Sequence, residues 1–413
     1  MATTRTFQEM LNEYLPNELL KEEFVKRDYL LSKVEKDDTW KGGNLIVPFK
    51  AAGASSVSFG GLSASTDIAE DKYVRGSVAG HKEVWGSMIF NHRDLMEHDM
   101  VSAQNFLKIL PGAVEDFMDY MKNVVSVNLL NGEHFAKLTS DGQDGGTMVV
   151  DRPDRFVIDQ KVYVDDSDSA ATFGYVSAID INTRTITLTA NRGGAGGAVD
   201  LAAYTVAQAA KCYNDGQQTN GFSSLRAALL SLANGGSTNL YGVAKTSAPY
   251  LQAINILGSD ITATNIMEKI FDALTTVRQF GKGTPTDVVM SYKNIGSAIK
   301  AIEASKGAFN VQPGSNKASQ FGWMEVEVGS VAKGALKLVG VQEADDDIIM
   351  FIDWRALKFH SNGFFKKRVS PDGKEYFEIR ATTGYQYIID VCLFGELVVI
   401  RPSYCGIIHS ISY

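Results

Sequence analysis

Apolar residues recur at steps of three and four along 111–131 (PGAVEDFMDYMKNVVSVNLLN). Val114, Phe117, Met118, Met121, Val124, Val125, Asn128 and Leu129 fall on one helix face. Pro111 stands where a first-turn proline is tolerated, because its missing N–H would have no partner there. Glu115, Asp116 and Asp119 supply the charge that a helix N-terminus favours, and Gly132 offers a stop. The spacing predicts one helix, roughly 31 Å long at ~1.5 Å per residue. That is long for a globular protein and predicts a rod with β-rich sequence on either side.

The stretches around it have other textures. Residues 1–41 carry Leu11, Leu15, Leu19, Leu20 and Phe24 among many charges, which predicts a helical arm lying along something else, with Lys21, Glu22, Glu23, Lys26, Arg27 and Asp28 as a solvated face. In 42–80, strand-like runs at Leu45, Val47 and Phe49 and at Val57 and Phe59 are followed by Gly, Ala and Ser, 67–72 is charged, and 72–81 alternates like a returning strand. These predict two strands joined by a small-residue tip, too poor in core to stand alone. Residues 82–90 predict a buried strand, 91–99 a short helical stretch and 102–110 a helix running into the rod. Between 139 and 212 the strands are short and β-branched with Asp- and Asn-rich turns, the pattern of a small β-barrel or sandwich of about 70 residues. From 213 to 350 helices and strands alternate. Residues 221–233, 262–280 and 292–305 predict helices, with Thr262 or Thr264 as N-cap of the second. Residues 351–413 are β-rich, with a hairpin turn at SPDGKE.

A chain of 413 residues predicts about two or three domains. The formal charge of −8 lacks the basic face of a sequence-reading nucleic-acid protein. Cys212, Cys392 and Cys405 form no CxxC, so a reducing compartment without a disulfide framework is expected. No secretory h-region and no uninterrupted apolar run of ~18 residues occurs, so no membrane span is expected.

The candidate chemistry is thin. Asp165, Asp166 and Asp168 lack the rest of a calcium loop, and GKGTP at 281–285 lacks Walker spacing. Asp345 to Asp347 is a carboxylate run without a facing partner. His92 and His98 share no helix face, His360 and His409 sit in strand-like runs, and Cys405 has no adjacent base. No catalytic residue, cofactor site or metal site is assigned.

The order of parts resembles the major capsid protein of tailed bacteriophages, the Hong Kong 97 fold. PTDVVMSYKNIGSAIKAI (285–302) is similar to the strand-then-helix of that family's axial domain. FGELVVIRPSYCGIIHSI (394–411) is similar to its closing pattern. The resemblance implies an α+β Hong Kong 97-type capsid fold with an inserted small β-barrel or sandwich domain. The parts would be an N-terminal arm at 1–41, an extended loop at 42–80 and a peripheral domain with spine helix at 81–138. The inserted domain would follow at 139–212, then an axial domain at 213–350 and returning peripheral and axial strands at 351–413. It also implies a non-enzymatic protein that self-assembles as pentamers and hexamers into an icosahedral head. That head would enclose double-stranded DNA without sequence recognition, assembled in a bacterial cytoplasm with a separate scaffolding protein, a portal and a decoration protein. No large maturation cleavage is implied, and no cross-link is assigned to Lys50 or Lys72. Subunit contacts are expected at Leu11, Leu15, Leu19, Leu20, Phe24, Leu45, Val47, Phe49, Val57 and Phe59. Removing 1–41 is expected to abolish closed shells while leaving a soluble fold. An encapsulin-like compartment packaging protein, and a cytosolic enzyme with a ligand-binding β-domain, are the alternatives.

Overall fold

The computed structural model describes residues 17–41, 43–52, 72–78, 80, 82–91, 103–132, 134–143, 145–165, 172–208, 210–231, 233, 236–304, 311–313, 323–330, 335–363, 365–381 and 384–413. The fold is α+β and has two compact units, one of Met1–Lys122 with Leu225–Tyr413 and one of Asn123–Ser224.

In the first unit a seven-stranded sheet runs in the order Ile254–Leu257, Gly406–His409, Ile349–Ile352, Asp287–Met290, Ala335–Val341, Trp323–Ser330, Val311–Pro313. Asp287–Met290, Ile349–Ile352 and Gly406–His409 are buried at every position, which is why they read as continuous apolar runs rather than alternating ones. Ile266, Ile270 and Leu274 of helix Ile266–Thr276 and Ile295, Ala298 and Ile302 of helix Tyr292–Ala304 pack on Val288, Met290, Leu338, Phe351 and Ile408. The first of these helices begins later than expected. Its N-cap is Asn265, and Thr262 lies in the preceding turn, where its N–H donates to Asn265 Oδ1 at 2.7 Å. It ends in a π-helical turn, Val277–Gly281, followed by left-handed Lys282. Of the expected helix at 221–233, Leu225–Leu229 is helical.

A six-stranded sheet of the same unit is built on the long strand Gly384–Val399. Lys82–Asn91 pairs with it from Gln386 to Gly395, and Phe377–Ala381, Phe365–Lys367 and Leu357–His360 pair along the rest. Glu35–Asp37 adds in parallel to Leu357–His360. The turn at SPDGKE forms, with Ser370 N–H donating to Lys374 O at 2.7 Å. It does not make a hairpin, because its flanking strands each pair with Gly384–Val399 rather than with each other. Strand Lys82–Asn91 is also not buried on both sides. Met88 faces the core, while Trp85 and Ile89 are 47% and 54% exposed.

The rod is helix Ala103–Leu130, which fuses the expected 102–110 helix with the expected spine. Pro111 is therefore in its interior rather than its first turn, where it removes one backbone donor. Val114 is half-buried while Met118 and Met121 are buried, and Gly86 of the six-stranded sheet faces Phe117 and Met121. The boundary between the units, Lys122/Asn123, falls inside this helix.

In the second unit six strands follow the order Ala136–Lys137, Lys211–Asn214, Lys161–Asp165, Thr172–Asp180, Thr185–Thr189, Thr147–Val149. The first and last strands join through the bridge Leu138↔Val150, with Thr139 N–H donating to Val149 O at 2.8 Å and Asp151 N–H to Lys137 O at 3.0 Å. The sheet thus closes into a barrel. Alternate residues point inward, and Val162, Val164, Val176, Ile186, Leu188 and Cys212 form its core with Phe135, Phe156 and Tyr204. At its entrance Gly132 takes φ +84°, and an added Cβ there would lie 2.1 Å from Ser224 Oγ. Only glycine meets both conditions at a helix stop. Asn128 secures the turn by donating to Gly132 O and accepting from Phe222 N–H.

Candidate assembly surfaces

The antiparallel ribbon Leu45–Ala52 and Lys72–Val78 pairs Leu45 with Val78, Val47 with Gly76 and Phe49 with Val74. Strand alternation sends these residues to one side and their neighbours to the other. The inner side is rooted on the first unit. Phe49 stacks on Tyr241, with centroids 6.1 Å apart and planes 5° from parallel. Gly76 lies beneath that ring, where a Cβ would sit 2.6 Å from Phe49 Cε2. Tyr241 then ties the ribbon to the six-stranded sheet. Its hydroxyl donates to Leu397 O at 3.2 Å and accepts from Val399 N–H at 2.9 Å, and its carbonyl accepts from Ser77 N–H at 2.9 Å. Burial pushes the phenol well above its ordinary pKa, so it holds its proton for that donation. The outer side carries Ile46 and Tyr73, 60% and 61% exposed, with Pro48 and Arg75 between them.

This divides the expected contact residues. Val47 and Phe49 are buried in their own chain and Leu45 is half-buried, whereas Ile46 and Tyr73 form the available apolar face. The continuous run LIVPF hides this, because its alternation is apolar on both faces. Val57 and Phe59 lie outside the described residues.

The arm shows the same self-docking. Helix Asn17–Arg27 includes Leu19 and Leu20 in its backbone, and Leu11 and Leu15 lie outside the described residues. Phe24 is fully buried and stacks on Phe365 at 5.1 Å. Arg27 bridges Asp119 at 2.5 Å and Glu115 at 3.1 Å on the rod helix. Burial, which alone would lower the guanidinium pKa, is outweighed by these carboxylates, and the pKa is raised. Asp28 caps the next helix, Tyr29–Lys33, by accepting from Leu31 N–H at 2.8 Å. Tyr29, Leu30, Leu31, Val34 and Trp40 are buried as well. Removing 1–41 would therefore open the core of the first unit rather than spare it, so a truncation that tests the arm must stop before Asn17.

The polar residues singled out in the sequence have structural partners. Arg226 holds the carboxylate run, reaching Asp345 at 3.2 Å and Asp347 at 2.8 Å. Lys122 pairs with Glu343 at 2.5 Å, with side chains 12% and 2% exposed. His360 lies 3.5 Å from Asp37, and His409 Nδ1 is 3.0 Å from Ser410 Oγ. Burial holds both imidazoles below their ordinary pKa, against the pull of Asp37 and Asp347 respectively. The three cysteines are free and buried, which pushes the Cys405 thiol up to about 12 and the other two higher. Lys245 caps helix Leu225–Leu229, donating to Ala227 O at 3.1 Å and Leu230 O at 2.7 Å. Desolvation lowers its pKa to about 8. The calcium-loop residues Asp166 and Asp168, and His92 and His98, lie outside the described residues. Among the described residues no cluster of His, Cys, Asp and Glu could hold a metal ion, and no helix is long and apolar enough to cross a membrane.

No protein-family model and no curated sequence matches the chain. Solved structures align along nearly its whole length. The capsid asymmetric unit of cyanophage A-1(L) is 10% identical with a TM-score of 0.48, over 100% of this chain and 95% of that one. The capsid of a native GTA particle is 9% identical with a TM-score of 0.48, over 94% and 91%. The holo-SrpI encapsulin complex of Synechococcus elongatus is 7% identical with a TM-score of 0.42, over 100% and 93%.

Proposed function

We propose that the chain is a structural shell protein, a major capsid protein of the Hong Kong 97 type. Copies join as pentamers and hexamers into an icosahedral head that encloses double-stranded DNA of a tailed phage, without reading its sequence. A separate scaffolding protein, a portal and a decoration protein are its partners, and assembly takes place in the bacterial cytoplasm. The observation that carries this reading is the ribbon. It is two strands thick, anchored on one face by Phe49 and Tyr241, and apolar on the other at Ile46 and Tyr73. A two-stranded element is marginal in water, and covering its second face with a neighbouring copy supplies the burial it lacks. The contact residues on this reading are Ile46, Tyr73 and Arg75, with Leu11, Leu15, Val57 and Phe59 reaching the neighbour. The parts 1–41, 42–80, 81–138, 139–212, 213–350 and 351–413 keep the roles that the resemblance implies.

Negative-stain electron microscopy of the protein, expressed alone and with its neighbouring genes, tests it. Angular or round shells are expected, and their content, DNA or a protein cargo, separates a virion from a compartment. Discrete monomers or dimers in both preparations would overturn the reading.

A further inference from the structure

The second unit has eight aromatic residues, and they sort by side. Phe135, Phe156, Tyr204 and Phe222 are buried. Tyr163, Phe173, Tyr175 and Tyr213 lie on the outer face of three adjacent barrel strands. Tyr213 pairs with Tyr163 and Tyr163 with Phe173, while Tyr175 sits across from Lys161. The neighbouring strand Thr185–Thr189 presents only threonines on that face, as a solvated strand should. Phe173 is 46% exposed.

Two of the unit's cations lie on this face too. The unit carries seven Lys and Arg against twelve Asp and Glu. Lys161 nevertheless sits 4.9 Å from the centroids of both Tyr163 and Phe173, and Arg192 lies over Tyr175 at 5.6 Å. Asp165 and Asp215 flank the patch, receiving Gln218 at 2.6 Å and Lys161 at 3.4 Å.

We infer that this aromatic and cationic outer face of the barrel binds an acidic glycan. Sugar C–H faces pack on exposed rings such as Phe173. An isolated carboxylate of the glycan meets Lys161 and Arg192, and Asp165 and Asp215 accept hydroxyl groups. Charge decides against a nucleic acid. The acidic surroundings repel a dense polyanion at long range, whereas a sparse uronate charge meets the local cations. Ring geometry agrees, since Tyr163 and Phe173 are tilted by 43° and Phe173 and Tyr175 by 87°. That is no parallel stack for successive bases.

The full-length protein should be retarded in native gels containing hyaluronate, chondroitin or heparosan, whose uronates fall on alternate sugars, and not in gels containing dextran. Phe173→Ala should weaken retardation at least ten-fold, and Lys161→Gln, which keeps the rings and Arg192, should weaken it and reduce its salt dependence. Circular dichroism identifies any variant that fails to fold, and the other variant then decides. No retardation by any of the three uronates, unchanged retardation of the folded variants, or equal retention by dextran or by a thymidine oligonucleotide would overturn the inference. Shell formation is independent of this result.

Discussion

The Lys122–Glu343 pair offers a quantitative test of how the rod helix is held. Both side chains are nearly out of water, so the attraction is weakly screened but the desolvation cost is large. Burial alone would lower the lysine pKa, yet the Glu343 carboxylate outweighs it and the pKa is raised above 10.5. The pair's contribution is therefore complete below the ordinary lysine value and lost as pH climbs through the raised one. Lys122→Met strips Glu343 of its ammonium partner, and one-sided removal of a buried pair costs about 3–5 kcal/mol. With a urea slope near 3 kcal/mol/M, the midpoint should fall by about 1 to 1.7 M. Lys122→Met with Glu343→Leu removes both charges and should return to within about 1 kcal/mol of the parent, or exceed it. Trp40, Trp85, Trp323 and Trp354 all belong to the first unit and the barrel has none. Tryptophan-selective fluorescence therefore reports this unit alone. A single variant that costs less than about 1 kcal/mol, or a double variant that costs the sum of both singles, would refute the argument.

Other outcomes follow from the same physics. Phe49→Ala should cost about 3–5 kcal/mol at the ribbon root, seen as loss of hydrogen-exchange protection across Leu45–Ala52 and Lys72–Val78, and it should abolish shells; undiminished protection would contradict the anchoring role. Because the folded-state pKa of Lys245 is about 8 against 10.5 unfolded, the unfolded chain binds more protons, and stability should rise with pH between those values; Lys245→Met should flatten that rise in urea titrations. Gly132→Ala must force a left-handed backbone and displace Ser224, so barrel melting followed by circular dichroism should fall by several degrees. The loop Gly193 to Gly197 is exposed, and Gly193 and Gly197 have no atom within 4 Å of an added Cβ, so a short peptide inserted after Ala195 should leave barrel melting unchanged.

The sequence carried the long elements well and the faces poorly. The rod was legible because its three-and-four period is intrinsic to one helix, but its start was not. Pro111 is a credible first-turn residue, but the helix runs from Ala103 and places it eight positions inside. The barrel strands were legible from β-branching, while closure depends on Leu138 meeting Val150, a long-range fact without local trace. Which ribbon residues are exposed was not legible, because buried Phe49 and exposed Ile46 are equally apolar and differ only in parity. Tyr241 gave no warning at all, since one tyrosine in a loop says nothing of the two backbone groups that meet its hydroxyl.

The barrel's chain enters through Ala136–Lys137 and leaves through Lys211–Asn214, and these two strands are paired neighbours. Its two ends thus emerge side by side, at the spacing of adjacent strands. Such a module can be lifted out and its stumps rejoined by a tight turn, or exchanged for another fold with adjacent termini. The exchange would also have to cover Val127, which the rod helix buries in the barrel core.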